Sequence, residues 1–283
     1  MTGDKAMRCR QPAGVSSSAF ACAYLEAGCP SAHLHEEWQF AVCEAISAVS
    51  LGAYRRFTVR PGDVVVIAPY QVHTELSGFG AAPGWRVLHV SAPTLSRLAE
   101  AAGARGTTGA TIRSPVVTEP AAAAALGALL RGAEARDSAE VFEHGARCWL
   151  ESFLERHTPD FVPASAPPAV ERARRYLLER PVEAVSLQEV RAASGVTVSY
   201  LVRSFARVVG LPPMSYHAQV RLARARGLLA EGRPASWVAY ECGFADQSHL
   251  TRRFKESYGL TPGAFSASQR AGRAAASPEA SAA

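Results

Sequence analysis

The sequence predicts a two-domain protein: an N-terminal β-barrel or jelly roll with accessory α-helices, then an all-α domain in which two helix-turn-helix units are joined by a long helix. Three observations carry this. Between Val15 and Val90, short runs rich in branched and aromatic residues alternate with turn residues. Nearer the C-terminus one helical pattern, turn glycine included, occurs twice. The charge divides at the same place: residues 165–283 hold 16 Lys+Arg against 9 Asp+Glu, whereas residues 1–164 hold 14 against 16. A polyanionic partner is therefore expected for the C-terminal half.

At 283 residues and 48% hydrophobic content, the chain is long enough to bury two cores. The cysteines at 9, 22, 29, 43, 148 and 242 show neither CxxC nor zinc-finger spacing, and no stretch reads as a signal peptide or membrane span. A reduced, cytoplasmic protein is expected. Its thiols read as buried or incidental, and redox sensing by Cys22, Cys29 or Cys43 is the less favoured alternative.

In chain order, residues 1–13 are polar and aperiodic and read as a flexible arm. Residues 14–158 form the first domain. Its strand candidates are WQFAVCEAI, YRRFTV, DVVVIAP, QVHTEL and WRVLHVSA, punctuated by Gly52, Pro61-Gly62, Pro69 and Gly78. TLSRLAEAAGA reads as a helix and TIRSPVV as a short extended segment returning to the sheet. Two further helices follow, PAAAAALGALLRG and SAEVFEHGARCWLESFLERH. The second aligns Phe142, Ala146, Trp149, Leu150, Phe153 and Leu154 on one face, which is either core packed on the barrel or a dimer face. The proline-rich residues 159–168 read as a linker that lets the two domains move.

Residues 169–266 form the second domain and residues 267–283 a disordered tail. A support helix, ERARRYLLER, opens it. Ser186 can cap a short helix that ends at Gly195, and Thr197 can cap a second carrying Tyr200, Leu201, Phe205 and Val208. After a long helix of roughly Met214 to Glu231, the device recurs. A helix around Trp237, Val238 and Tyr240 ends at Gly243, and Asp246 can cap a helix bearing Leu250, Phe254 and Tyr258. Ser199, Val202, Arg203 and Arg207 are left outward on the first such helix, and Gln247, Ser248, His249, Arg252, Arg253 and Lys255 on the second. Arginine grips guanine bidentately, glutamine reads adenine, and spare Arg and Lys contact phosphates. A single basic helix is usually just a solvated face; two in register, on a connecting rod of about 27 Å, suit successive major grooves.

Within the predicted barrel, HLHEEWQ supplies His33 and His35, and PYQVH supplies His73. Three histidines at a barrel mouth either bind a divalent metal, hydrogen-bond a polar ligand, or complete an internal network. No nucleophile–base pair, P-loop or dinucleotide fingerprint accompanies them, so no enzyme and no cofactor are expected.

SGVTVSYLVRSF, YECGFADQSHLTRRFK and YGLTPGAF together resemble the DNA-binding domain of the AraC/XylS family of transcriptional regulators. The segments HLHEEWQ, RPGDVVVIAPYQVH and GWRVLHV resemble a cupin, specifically the sensory domain of the same family. The resemblance implies base reading by Ser199, Val202 and Arg203, and by Gln247, Ser248 and Arg252, with Val202 apolar where a polar side chain is usual. It implies an effector site at His33, His35, Gln39 and His73. In metal-binding cupins a glutamate occupies the position of Gln39, so no metal is expected here, and neither Glu36 nor Glu37 repairs that position. The implied partners are promoter DNA, a small-molecule effector, RNA polymerase and a second copy of the chain, paired through the aromatic helix face. The competing readings are a metal-dependent cupin enzyme or metal sensor fused to a DNA-binding module, and an effector-independent architectural protein.

Overall fold

The computed structural model describes residues 20–25, 31–53, 55–76, 84–102, 110–134, 139–157, 161–163 and 166–274. The expected arm at 1–13 and Cys9 and Cys29 lie outside them. Among the described residues ten strands, mostly N-terminal, precede the run of C-terminal helices: β1 (Phe20–Leu25), β2 (Trp38–Cys43), β3 (Ser47–Leu51), β4 (Arg55–Val59), β5 (Asp63–Ile67), β6 (His73–Leu76), β7 (Trp85–Val90), β8 (Ala110–Ile112), β9 (Val116–Thr118) and β10 (Phe161–Pro163). A five-stranded antiparallel sheet, β1-β7-β2-β5-β9, and a three-stranded sheet, β4-β3-β6, build the barrel. A paired bridge between His33 and His73 ties in the segment ahead of β2.

The central strands β2, β5 and β7 are buried along their whole length and largely apolar because both of their faces are covered. Phe40, Val42, Val64, Val66, Leu88 and Val90 pack against helices α1 (Ala92–Ala101), α2 (Pro120–Glu134) and α3 (Ala139–His157). The alternate residues Ala41, Cys43, Val65, Ile67, Trp85 and Val87 face the other way, in one cluster with Val49, Leu51 and Val59 of the opposite sheet. The aromatic stripe of α3 is core: Phe142, Ala146, Trp149, Leu150, Phe153 and Leu154 are all buried, and the Trp149 indole donates to the Ala122 carbonyl at 2.9 Å. Pairing through that face is thereby overturned, since a helix stripe spent on its own barrel has no free apolar area left for a partner.

The second domain comprises α4 (Pro168–Leu178), α5 (Leu187–Ser194), α6 (Val198–Val209), α7 (Pro213–Ala230), α8 (Ala235–Glu241), α9 (Gln247–Tyr258) and α10 (Pro262–Ala274). The caps are those the sequence predicts. Ser186 and Glu189 close a reciprocal capping box on α5, Thr197 caps α6, Asp246 caps α9, and Gly195 turns with φ of 73°. Three expectations need correction. β10 lies inside the proline-rich linker and pairs with β8, because a sheet edge accepts the missing N–H of proline. Helix α10 continues to Ala274, past the expected start of the tail. Within α8 only Val238 of the three expected apolar residues is buried; Trp237 is 40% and Tyr240 84% exposed.

Candidate functional site

Four histidines meet at one end of the barrel. His33, His35 and His73 come together as the sequence suggested, and His89 of β7 joins them; ring centroids are 4.2 Å apart for His33–His73, 4.9 Å for His35–His73 and 5.0 Å for His35–His89. All four are buried. Gln39 lies opposite His89 in the β2–β7 register. Its Oε1 is 2.8 Å from His35 Nε2, and its Nε2 donates to Glu75 Oε1 at 2.5 Å. Glu75 itself is 1% exposed. Desolvation is the main cause holding His35, His73 and His89 well below the usual histidine range, reinforced at His35 by His89 and at His73 by His33. These rings are therefore neutral at pH 7 and available as hydrogen-bonding or ligating groups.

His89 and Glu75 were missed in the sequence. Glu75 is two residues from His73 on one strand, and His89 continues the inward series Trp85, Val87; period-two counting from either neighbour finds both.

The segment that carries His33 and His35 has a second face. Residues alternate along its extended backbone, so Leu34 turns away from the cluster and is buried among Val170, Ala173, Leu177, Leu201 and Phe205 of the helical domain. The Leu34 carbonyl accepts from Tyr258 Oη at 3.4 Å. Glu37 pairs with Arg226 of α7, whose guanidinium lies 5.8 Å from the centroid of the Tyr258 ring. Burial raises the Glu36 carboxyl, with Glu37 adding to the rise and Arg224 and Arg226 opposing it. Further along, Tyr70, at φ of 58°, gives its carbonyl to Tyr216 Oη at 3.3 Å. Long helix α7 is thus covered by the barrel as well as by both helix-turn-helix units, and the two domains share their cores.

On the helical domain, Ser199, Arg203, Arg207, Gln247, Ser248, Arg252 and Lys255 are exposed, and Val202 is half-buried. Leu201, Phe205, Leu250 and Phe254 anchor the opposite faces of α6 and α9. Each anchor, fully buried, contributes about 1.5–3 kcal/mol toward holding its helix in place. Arg203 rests its Nε–H on the Ser199 carbonyl at 3.2 Å, and Arg253 pairs with Glu256 at 3.1 Å within α9.

A barrel with a closed polar cluster, packed on tandem helix-turn-helix units, defines a class: one-chain regulators with a sensory and a DNA-reading domain. Residues 23–147 match the model of the AraC-like ligand binding domain, and residues 190–268 match that of a helix-turn-helix domain. The chain belongs to the AraC family of transcriptional regulators. It is 34% identical over 123 residues, 42% of its own length, to the HTH-type transcriptional regulator RipA of Corynebacterium glutamicum. It is also 31% identical over 88 residues to the HTH-type transcriptional activator RhaS of Escherichia fergusonii. These matches span only 37% and 32% of the two relatives. ToxT of Vibrio cholerae shares the fold, with a TM-score of 0.56 at 12% identity over 89% of this chain and 98% of that one; another ToxT structure contains a bound unsaturated fatty acid. Among the described residues, no helix is long and apolar enough to cross a membrane.

Proposed function

We propose that the chain is a one-component, sequence-specific transcription regulator whose barrel senses a small-molecule effector at His33, His35, Gln39, His73, Glu75 and His89. One observation carries the coupling: the stretch from His33 to Glu37 offers its histidines to the barrel cluster while Leu34 and Glu37 grip the DNA-reading domain. An effector that moves the histidines must move that grip. The bound fatty acid in ToxT supports a small-molecule effector, and the regulators among its relatives support this reading over an enzyme. The reading includes action in the cytoplasm, contact with RNA polymerase, and a homodimer formed through a surface other than the buried α3 stripe.

For DNA, the reading assigns base contacts to Ser199, Val202, Arg203, Gln247, Ser248 and Arg252 and phosphate contacts to Arg207 and Lys255. Arg203→Ala and Arg252→Ala are each expected to cost about 1–3 kcal/mol on the preferred sequence and to relax base choice at one position, while Arg207→Ala weakens all sequences alike. Binding to a randomised duplex library, selected and sequenced with each variant, measures both. Equal losses on specific and random DNA would reduce Arg203 and Arg252 to backbone contacts.

A further inference from the structure

The barrel cluster contains too many lone pairs for its protons. His33, His35 and His73 each place Nδ1 against a main-chain carbonyl two residues away, Ser31 O at 3.0 Å, Glu37 O at 2.7 Å and Gln71 O at 2.9 Å. A carbonyl only accepts, so Nδ1 carries the proton and donates at His33 and His73; His35 faces a second acceptor, Gln39 Oε1, through its Nε2. With its Nδ1 protonated, the neutral His73 ring therefore turns Nε2 inward as a lone-pair atom. Glu75 adds a carboxylate to the same space, and its Oε2 is buried without a hydrogen-bond partner, as is His73 Nε2. Acceptors that converge in a dry interior repel one another unless a cation lies among them.

We infer that His33, His73 and Glu75 form a binding site for a divalent transition-metal ion of the zinc class. One ligand atom from each lies within 4.8 Å of the others. Closing onto a tetrahedral ion with bonds of about 2.0–2.2 Å needs only side-chain adjustment on the order of an ångström. Imidazole with carboxylate is the donor set that zinc-class ions favour over calcium or magnesium. The carbonyls fixing each Nδ1–H are the outer partners that such ligands require, orienting the rings before the ion arrives. A second group, His35, Glu37 and His89, meets the same distance limit, but Glu37 is already committed to Arg226. Gln39 occupies the place of the expected carboxylate and holds the actual one: its amide pins Glu75, which enters from β6. Three protein ligands leave a fourth position open toward the cluster.

This inference rests on the proposed sensory role of the barrel only for its consequence on DNA; ion binding itself is independent of it. The test uses the full chain, stripped with a chelator, repurified and titrated with Co²⁺, whose visible absorption reports coordination. The expected result is one equivalent retained through gel filtration, with the intensity of a four- or five-coordinate nitrogen–oxygen site. Glu75→Gln keeps the shape of the side chain and is expected to weaken binding at least about tenfold while leaving the metal-free melting curve close to that of the parent. His73→Ala is expected to abolish retention, and the same melting curve separates a lost ligand from a lost fold. Failure to retain Co²⁺ would overturn the site. So would binding unchanged in Glu75→Gln with thiolate charge-transfer absorption, which would move the ion to a cysteine such as Cys148, 3.6 Å from His144 on the surface of α3. The DNA selection on the same preparations separates the two readings: a chain that selects specific DNA but retains no Co²⁺ removes the ion alone, and one that retains Co²⁺ without DNA preference removes the regulator alone.

Discussion

The two helices to which DNA contacts are proposed, α6 and α9, are built alike and held differently. Helices α6 and α9 each have 12 residues, each begins on a side-chain cap, and each ends on a left-handed glycine, Gly210 and Gly259. Around Gly259 nothing lies within 4 Å of where a Cβ would stand. At Gly210 the same atom would stand 2.5 Å from the Cα of Gly52, in the turn between β3 and β4. The barrel thus abuts the end of α6 at the main chain, whereas it meets α9 through side chains: the Tyr258 hydroxyl donates to the Leu34 carbonyl, the Tyr258 ring lies 6.1 Å from that of His33, and Leu250 and Phe254 share a core cluster with the barrel. A displacement of the barrel therefore meets α6 at a main-chain contact and α9 at side-chain contacts.

Acid gives the largest test of this difference. His35, His73 and His89 have folded pKa values depressed by burial below the ordinary 6.5. The unfolded chain therefore binds more protons below pH 6.5; stability is full above that value and falls as pH drops toward the depressed values. Each histidine contributes a slope of about 1.4 kcal/mol per pH unit, or about 4 for the three together. In metal-free protein, hydrogen exchange from pH 7 to 5 is expected to show the amides of α6 losing protection earlier than those of α9. Equal loss in the two helices would erase the asymmetry.

Two glycine substitutions sharpen it. Gly210→Ala meets both a left-handed backbone and the Gly52 main chain, and is expected to cost about 3 kcal/mol or more; Gly259→Ala meets only the backbone penalty, about 1 kcal/mol. Urea unfolding of both variants measures the gap. The smallest effect belongs to Tyr258→Phe, which removes the hydrogen bond to the Leu34 carbonyl and is expected to cost about 0.5–1.5 kcal/mol, with packing retained. Its readout is the specific DNA affinity with and without effector, where the contribution of α9 alone is expected to change.

Much of this was legible in the sequence. The caps and turn glycines announced α5, α6 and α9 because helix ends are set by local chemistry, and the histidines of HLHEEWQ and PYQVH pointed to one end of the barrel. Strands β1 and β3 were less visible: SAVSL is short and made of small residues, with too little apolar bulk for a strand signal. Glu75 was passed over because a lone glutamate in a strand normally faces water. The stripe on α3 announced burial but not against what. The docking of Leu34, Glu37 and Gly52 on the helices left no local trace at all, since it joins residues some 160 to 220 positions apart, as in Leu34–Tyr258 and Gly52–Gly210. Cys43, a thiol considered for redox sensing, is buried and pushed up to about 11, which leaves it unreactive at neutral pH.

The alternation of His33, Leu34 and His35 also bears on how such proteins diversify. Inserting or deleting one residue there would turn the leucine into the chamber and the histidines onto the helical domain, so the two functions share one reading frame and cannot drift apart by small steps. A grafted barrel would carry its own grip on α7 with it. Chimeras of this chain are therefore expected to work when Arg226 and Tyr258 travel with the barrel they face, and to fail as isolated exchanges of either half.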